Sequence, residues 1–205
     1  WKKYCSEIFS VENNLTLIAK RGDHEDWLTE ERKVWKNANS TNSQFAYYKS
    51  KAAIHLGNGF DEMDKSTDQI LSLLEDPKRS SKWMTRGMVV GDVQSGKTSH
   101  YTGLITKAVD SGYKLIIVLS GIFNSLRAQT QKRIDHGFLG YDTLISEYTS
   151  QHKLPLWKRR KDLTAPVCLT NSSIKGDYKT TASKYNNLIT KIPTVLVVKK
   201  NKTIL

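Results

Sequence analysis

The chain has 205 residues, of which 38% are hydrophobic and 25% are charged, as in ordinary globular proteins. Its longest apolar run, Leu115–Leu119, is far shorter than the roughly 18 to 20 residues that cross a bilayer. No apolar segment of the secretory type follows Trp1. The two cysteines, Cys5 and Cys168, stand far apart, which argues against a disulfide framework and a zinc site. We expect a cytoplasmic protein with no membrane partner.

The net charge of +12 is concentrated towards the C-terminus. Residues 1–86 carry 14 Lys and Arg against 13 Asp and Glu, and residues 87–150 carry 6 against 5. Residues 151–205 carry 12 against 2. A segment this basic can neutralise phosphates and release their counterions, which indicates a nucleic-acid partner. The alternatives are a solvated face, or a surface that meets an acidic segment outside this chain.

The first 86 residues have helical patterns. Asp23 begins a pattern with a 3.6-residue period, which predicts a helix that carries Trp27 and Trp35 on one face. Residues 37–42 are rich in Asn, Ser and Thr and predict a loop. A second helix is predicted over Gln44–Leu56.

A third helix is predicted from a capping-box pattern. Ser66 is followed three residues later by Gln69, and an apolar run comes next. Asp76-Pro77 is expected to end this helix, because a residue before proline disfavours helical geometry. Together the three helices predict a helical N-terminal subdomain.

The pattern changes at residue 87. Met88–Val90 is a short apolar run that predicts a strand, and a glycine-rich loop follows it. A helix is predicted over Thr98–Asp110, and the apolar core of Lys114–Ser120 predicts a strand buried on both faces. Strand, loop, helix and strand make one right-handed crossover unit. A second crossover helix is predicted over Asn124–Asp135, and the β-branched run Thr194–Val198 predicts another strand.

The glycine-rich loop has the full phosphate-binding pattern G-x-x-x-x-G-K-T, with a predicted strand before it and a helix after it. Its backbone N–H groups are expected to surround a β-phosphate, and the helix adds the positive end of its dipole. Lys97 is expected to reach the β- and γ-phosphates, and the Thr98 hydroxyl to ligate Mg²⁺. ATP and Mg²⁺ are therefore the predicted cofactors. The predicted nucleotide-binding residues are Gly91, Asp92, Val93, Gln94, Ser95, Gly96, Lys97 and Thr98.

A working NTPase of this kind also needs an acidic residue at the end of an apolar strand, where it holds Mg²⁺ from the other side. None of the acidic residues after Lys114 follows such a strand. We expect that the chain ends before this motif, in agreement with a first residue that is Trp1 rather than Met. The alternative is a protein that binds nucleotide without hydrolysing it.

Segments between residues 76 and 140 carry a family resemblance. They are Asp76-Pro77, Arg86–Thr98, Tyr101–Ile105, Gly112–Ile122 and Leu126–Asp135. These segments closely resemble the Z-one domain family, whose members often carry an endonuclease label and resemble the first motor lobe of superfamily-two helicases. The resemblance implies that the acidic Mg²⁺ motif of the family lies beyond residue 205.

The resemblance also implies where nucleic acid would lie. In such lobes the segment that matches residues 126–133 borders the nucleic-acid track, although an amphipathic helix with a polar outer face has the same pattern. The candidate contacts there are Arg127, Gln129, Gln131 and Arg133. A compact basic cluster follows Trp157, a pairing that is used on single strands, with a solvated loop as the alternative. Its members are Lys158, Arg159, Arg160 and Lys161.

The expected fold is α/β: a helical N-terminal subdomain over residues 1–86, then a partial RecA-like P-loop NTPase lobe over residues 87–205, truncated before the acidic motif. Its parallel sheet is expected to carry helices on both faces. We expect the ATP-binding part of a helicase-like, DNA-acting ATPase, which by itself is inactive, and the resemblance implies a restriction or anti-phage setting. The expected partners are nucleic acid, DNA first, and the C-terminal remainder of a parent chain. The alternatives are a non-hydrolysing nucleotide-binding module and a nuclease subunit whose cutting site lies outside this fragment.

Overall fold

The computed structural model describes residues 24–37, 43–56, 59–90, 96–144, 166–178 and 192–200. Helices and a small sheet make up these residues, which places the fold in the α/β class. In chain order the elements are α1 (Gln44–Leu56), α2 (Gly59–Leu73), α3 (Lys97–Ser111), β1 (Leu115–Ser120), α4 (Asn124–Ile134), β2 (Val167–Cys168) and β3 (Thr194–Lys199). Two 3-10 turns, Glu30–Arg32 and Val34–Lys36, precede α1, and a π-helical turn, Asp135–Leu139, continues α4.

The three strands form a parallel sheet in the order β1-β3-β2. Ile116 pairs with Val195 and Val118 with Val197, so these four side chains share one face. That face packs against side chains from α3, α4 and the π-helical turn, which are Val109, Ile134, Phe138 and Leu139. The core of the α/β part therefore lies between this face and the described helices.

Residues 24–37, α1 and α2 form a second layer, called here the helical layer. Its aromatic core includes Trp35, Phe45 and Phe60, and Ala108 of α3 belongs to the same core. A Cβ atom built on Gly103 of α3 would lie 2.7 Å from the Met63 sulfur. The Met63 side chain therefore lies directly on the α3 backbone at Gly103, and the helical layer is packed onto α3.

The prediction that β1 is buried on both faces is wrong. Ile116 and Val118 are half-buried, whereas Leu115, Ile117 and Leu119 are 42%, 55% and 48% exposed. The apolar run has the composition of a buried parallel strand, but no described element covers this outer face of β1. Leu196 and Val198, which pair with Ile117 and Leu119, are buried with Leu169.

Three predictions for the N-terminal half are also wrong. Residues 24–29 are coil before the two 3-10 turns, because Trp27 and Trp35 are held by distant partners rather than by helical neighbours. Ser66 does not begin a helix but lies inside α2, where its hydroxyl donates to the Met63 carbonyl at 3.1 Å. Met88–Val90 is not a strand, because no described strand pairs with it, and its side chains are exposed.

The predicted crossover unit lacks its first strand, and the predicted loop over residues 37–42 lies mostly outside the described residues. The remaining predicted helices and strands are confirmed with small shifts. The second predicted helix coincides with α1, and the helix after the glycine-rich loop is one residue longer at each end than predicted. The predicted 124–135 helix ends at Ile134 and passes into the π-helical turn. Within the described ranges, no helix is long and apolar enough to cross a bilayer. The described helices that contribute side chains to the sheet core all pack on the same face of the sheet. Helices on both faces of the sheet therefore stay a prediction.

Candidate nucleotide-binding site

The glycine-rich loop leads into the N-terminus of α3. Its residues Gly91–Ser95 lie outside the described residues, and Gly96, Lys97 and Thr98 lie within them. Gly96 is the N-cap of α3 and has a φ of 72°, a left-handed conformation that glycine adopts without strain. A Cβ atom built there would meet no atom within 4 Å, so the space beside this glycine is open.

The first turn of α3 has the donors that an anion requires. The first N–H groups of a helix have no partner within the helix, and no side chain of the N-cap residue satisfies them here. The helix dipole adds a partial positive charge at the same point. Lys97 is exposed beside this turn, and Thr98 is half-buried, with its carbonyl accepting a hydrogen bond from the Thr102 hydroxyl at 2.8 Å. This donor set fits a phosphate, and the Thr98 hydroxyl is of the type that ligates Mg²⁺.

No carboxylate directly follows any of the three described strands. β1 is followed by Gly121, β2 by Leu169 and β3 by Lys200. Among the described residues, no group of three or more His, Cys, Asp and Glu side chains could hold a metal ion. The described part of the chain therefore shows no carboxylate at the position where an NTPase site would place one.

The four candidate nucleic-acid contacts on α4 divide into two pairs. Gln129 and Arg133 are exposed, whereas Arg127 and Gln131 are completely buried. Arg127 donates from Nη2 to the carbonyl oxygens of Asn171, at 2.8 Å, and of Ser173. Burial lowers the pKa of this guanidinium. Arg127 therefore connects α4 to the loop after β2.

Gln131 completes this internal network. Its amide nitrogen donates to Asp135 at 2.8 Å, and its amide oxygen accepts from the Thr170 hydroxyl at 2.7 Å. Residues 127 and 131 are four apart and share the inward face of α4, which the positions of Ala128 and Ile134 on the same helix could have indicated. A nucleic-acid role by direct contact stays a prediction for the outward pair.

The basic cluster of residues 158–161 lies outside the described residues. Of the described tail, Lys175 and Lys200 are exposed, and the Lys199 ammonium lies 3.9 Å from a carboxylate oxygen of Asp177. The described residues thus add two exposed cations, one in the loop after β2 and one directly after β3, to the exposed side chains of α4.

The helical layer holds α3 through charged groups that the sequence patterns did not indicate. Lys107 is completely buried and donates to carboxylate oxygens of Asp64 and, at 2.5 Å, Asp68. Its ammonium also lies 4.3 Å from the centre of the Phe45 ring. No local sequence pattern reveals these partners of Lys107, because they lie about forty residues earlier in the chain.

Asp110 joins α3 to the N-terminus of α1. Its carboxylate accepts hydrogen bonds from the Ser43 hydroxyl at 2.6 Å and from the backbone N–H groups of Gln44 and Phe45 at 2.7 and 3.0 Å. It therefore adds a distant cap to the local one, in which the Ser43 hydroxyl accepts from the Ala46 N–H at 3.0 Å. Burial raises the pKa of Asp110 to about 6, against the opposing effect of these hydrogen bonds.

Comparison with known proteins adds no relative: no family model, no curated protein and no solved structure matches this chain. The Z-one resemblance therefore rests on the sequence segments alone.

Proposed function

We propose that this chain binds a nucleoside triphosphate with Mg²⁺ through residues 91–98. One observation carries the proposal: the complete G-x-x-x-x-G-K-T pattern ends at the N-terminus of a 15-residue helix whose N-cap is the left-handed Gly96. A pattern match alone is weaker evidence, because a glycine-rich turn occurs without a ligand. The pattern placed at a helix start meets the helix half of the structural context of phosphate-binding loops, whereas residues 88–90 before the loop are not a strand.

Each residue has a defined task in this proposal. The N–H groups of the loop and of the first turn of α3 orient the phosphates, and the Lys97 ammonium neutralises their charge. The Thr98 hydroxyl ligates Mg²⁺, which when bound draws charge from the phosphate oxygens. We assign hydrolysis to no residue of this chain, so the proposed activity here is binding. A RecA-like lobe of a helicase-like, cytoplasmic ATPase of the Z-one kind is the setting that the sequence resemblance supports.

Calorimetric titration with Mg²⁺-ADP and Mg²⁺-ATP tests this proposal. A charged hydrogen-bonding partner contributes about 1.5 to 3 kcal/mol, so Lys97→Ala is expected to weaken binding by about ten- to a hundredfold. Lys65→Ala is the matched control, because Lys65 is an exposed lysine of α2. Equal dissociation constants for wild type and Lys97→Ala would refute the proposal.

We also propose a nucleic acid, DNA first, as the partner. The support is the excess of 12 Lys and Arg over 2 Asp and Glu in residues 151–205. Binding would then depend mainly on phosphates, and the logarithm of the affinity would fall with the logarithm of salt concentration by about 0.9 per duplex phosphate contact.

A salt titration with a fluorescent duplex and a single strand tests the partner. Replacing residues 158–161 by Ala is expected to reduce the slope by up to about four units, if all four side chains contact phosphate. Lys97→Ala is the control, since its side chain is assigned to the nucleotide, and its slope should equal that of wild type. Binding that is absent at low salt, or independent of salt, would contradict a nucleic-acid partner.

A further inference from the structure

The first turn of α3 is held from the helical layer by two hydrogen bonds. The Tyr48 hydroxyl of α1 donates to the Ser99 carbonyl at 3.2 Å. One residue further along α3, the His100 Nε2 atom lies 2.8 Å from the Ser66 hydroxyl of α2. Both contacts fall directly after Lys97 and Thr98, so they hold the part of α3 that the proposed function assigns to the phosphates.

The direction of the Ser66–His100 bond follows from proton counting. The Ser66 hydroxyl has one hydrogen and lies 3.1 Å from the Met63 carbonyl, which can only accept. When both bonds are present, His100 Nε2 therefore carries a hydrogen and donates it to Ser66. Burial, and then the charge of Lys107, lower the pKa of His100. The lowered pKa favours the neutral ring.

These contacts act on the donors at the helix start. The N–H groups of a first turn are rigid parts of the helix, so their direction is the direction of the helix axis. Tyr48 is buried and α2 packs against the backbone of α3 at Gly103, so the axis is held over its first two turns. Binding sites need their groups within about 0.5 Å of the productive geometry, which small shifts of α3 would exceed.

We propose that Tyr48, Ser66 and His100 are positioning residues for nucleotide binding, and that they act by fixing the first turn of α3. This inference rests on the proposed function. It makes the helical layer a part of the nucleotide site, although none of its side chains would touch the nucleotide.

The test is the dissociation constant of Mg²⁺-ADP, measured by calorimetry on the full chain well below the melting temperature of every variant. Loss of one neutral hydrogen bond corresponds to about 0.5 to 1.5 kcal/mol, so Tyr48→Phe and Ser66→Ala should each weaken binding by about three- to tenfold. The matched controls are Tyr113→Phe, whose hydroxyl bonds the Glu75 carbonyl beyond the other end of α3, and Ser72→Ala, whose hydroxyl bonds its own helix. Both controls should bind as wild type does.

A second pair of variants separates positioning from folding. His100→Gln places an amide donor near the Nε2 position and should bind ADP like wild type, whereas His100→Leu should lose about as much affinity as Ser66→Ala. A merely structural role would lower melting temperatures without changing the dissociation constant of the folded protein. If Tyr48→Phe does not fold, the two His100 variants still decide whether these contacts act by positioning the first turn of α3.

The outcomes are distinct. Wild type that does not bind Mg²⁺-ADP overturns the proposed function, and this inference with it. Wild type that binds, with Tyr48→Phe, Ser66→Ala and His100→Leu equal to the controls, overturns the positioning inference alone. Weaker binding in those three variants, with His100→Gln near wild type, supports it.

Discussion

The helical layer buries charged side chains, whereas one face of β1 exposes apolar ones. Lys107 is completely inaccessible between the layer and α3, yet Ile117, six residues after the end of α3, is 55% exposed. The difference follows from the partners that the fold brings to each place. Lys107 has two carboxylates and an aromatic ring within reach, and no described element lies over Ile117.

This comparison shows that polarity alone does not decide burial here. A buried charge is tolerated when its hydrogen bonds are satisfied, and it becomes costly when one partner is removed. Replacing an exposed apolar side chain changes the free energy of unfolding much less, because that side chain makes few contacts in the folded state. The following expected effects, in decreasing order, test that asymmetry.

The largest effect is expected at Lys107. Lys107→Met keeps most of the side-chain stem but removes the buried cation between Asp64 and Asp68. Asp68 keeps the longer ion pairs with Lys33 and Lys36, at 3.8 and 3.6 Å. The free energy of unfolding should therefore fall by about 3 to 5 kcal/mol. Urea denaturation measures this. Lys65→Met on the exposed side of α2 is the control and should stay within about 0.5 kcal/mol of wild type. Equal stabilities for the two variants would show that the buried ion pairs contribute nothing.

The second-largest loss of stability is expected on replacing Arg127. Arg127→Met removes a buried guanidinium and leaves the carbonyls of the exposed Asn171 and the half-buried Ser173 without their donor, so a loss of about 1 to 3 kcal/mol is expected. Arg133→Met, on the exposed face of the same helix, should change stability by less than about 0.5 kcal/mol. Thermal and urea unfolding of both variants check this, and a reversed order would contradict the buried role of Arg127.

Asp110 should give a pH-dependent effect of about 2 to 3 kcal/mol. Its folded pKa of about 6 exceeds the ordinary value of 3.8, so the folded state binds the proton more tightly than the unfolded state. Wild type should therefore gain stability relative to Asp110→Asn as the pH falls from about 6 to 4.

Asp76 provides the opposite sign as a control for Asp110. Hydrogen bonds from Arg32 lower the pKa of Asp76 below the ordinary value of 3.8. Wild type should therefore lose stability relative to Asp76→Asn as the pH falls below that ordinary value. Urea denaturation from pH 4 to 7 measures the first difference, and an extension to lower pH measures the second. Parallel curves for wild type and Asp110→Asn would contradict the raised pKa.

The smallest effects compare neighbouring isoleucines on opposite faces of β1. Ile116 packs into the core with Val195, whereas Ile117 faces outward. Ile116→Ala should cost about 2 kcal/mol and Ile117→Ala less than about 1 kcal/mol, because burial sets the transfer and cavity terms. Equal losses would show that the outer face is covered in solution.

The elements predicted well are those fixed by local chemistry. The α3 helix follows a glycine loop and ends at Gly112, and the β-branched run of β3 has few other conformations available. The coil around Trp27 could not be predicted, because its indole donates to the carbonyl of Leu74, which lies 47 residues away. Ser66 matched a capping pattern by spacing alone, while its role depends on His100 from another helix.

The candidate site likewise contains residues that a local sequence pattern selects and residues that no local pattern could select. Gly96, Lys97 and Thr98 form a local pattern, and the structure places them at the start of a helix as expected. Tyr48 reaches the same turn from 51 residues earlier, so no spacing rule could select it. On α4, the pattern of polar residues was visible, but the inward direction of Arg127 and Gln131 depends on the loop after β2.

The capping of α1 by Asp110 has a consequence for the order of folding. The backbone N–H groups of Gln44 and Phe45 donate to a carboxylate that is about 65 residues further along the chain. During synthesis, α1 therefore leaves the ribosome before this carboxylate exists, with the Ser43 hydroxyl, which accepts from the Ala46 N–H at 3.0 Å, as its local cap. Isolated helices shorter than about 12 to 15 residues are marginal in water. We expect α1 to become persistent only after α3 has formed and docked. Peptides that end before α3 should consequently show little helix by circular dichroism, whereas peptides that extend through Asp110 should show a cooperative gain.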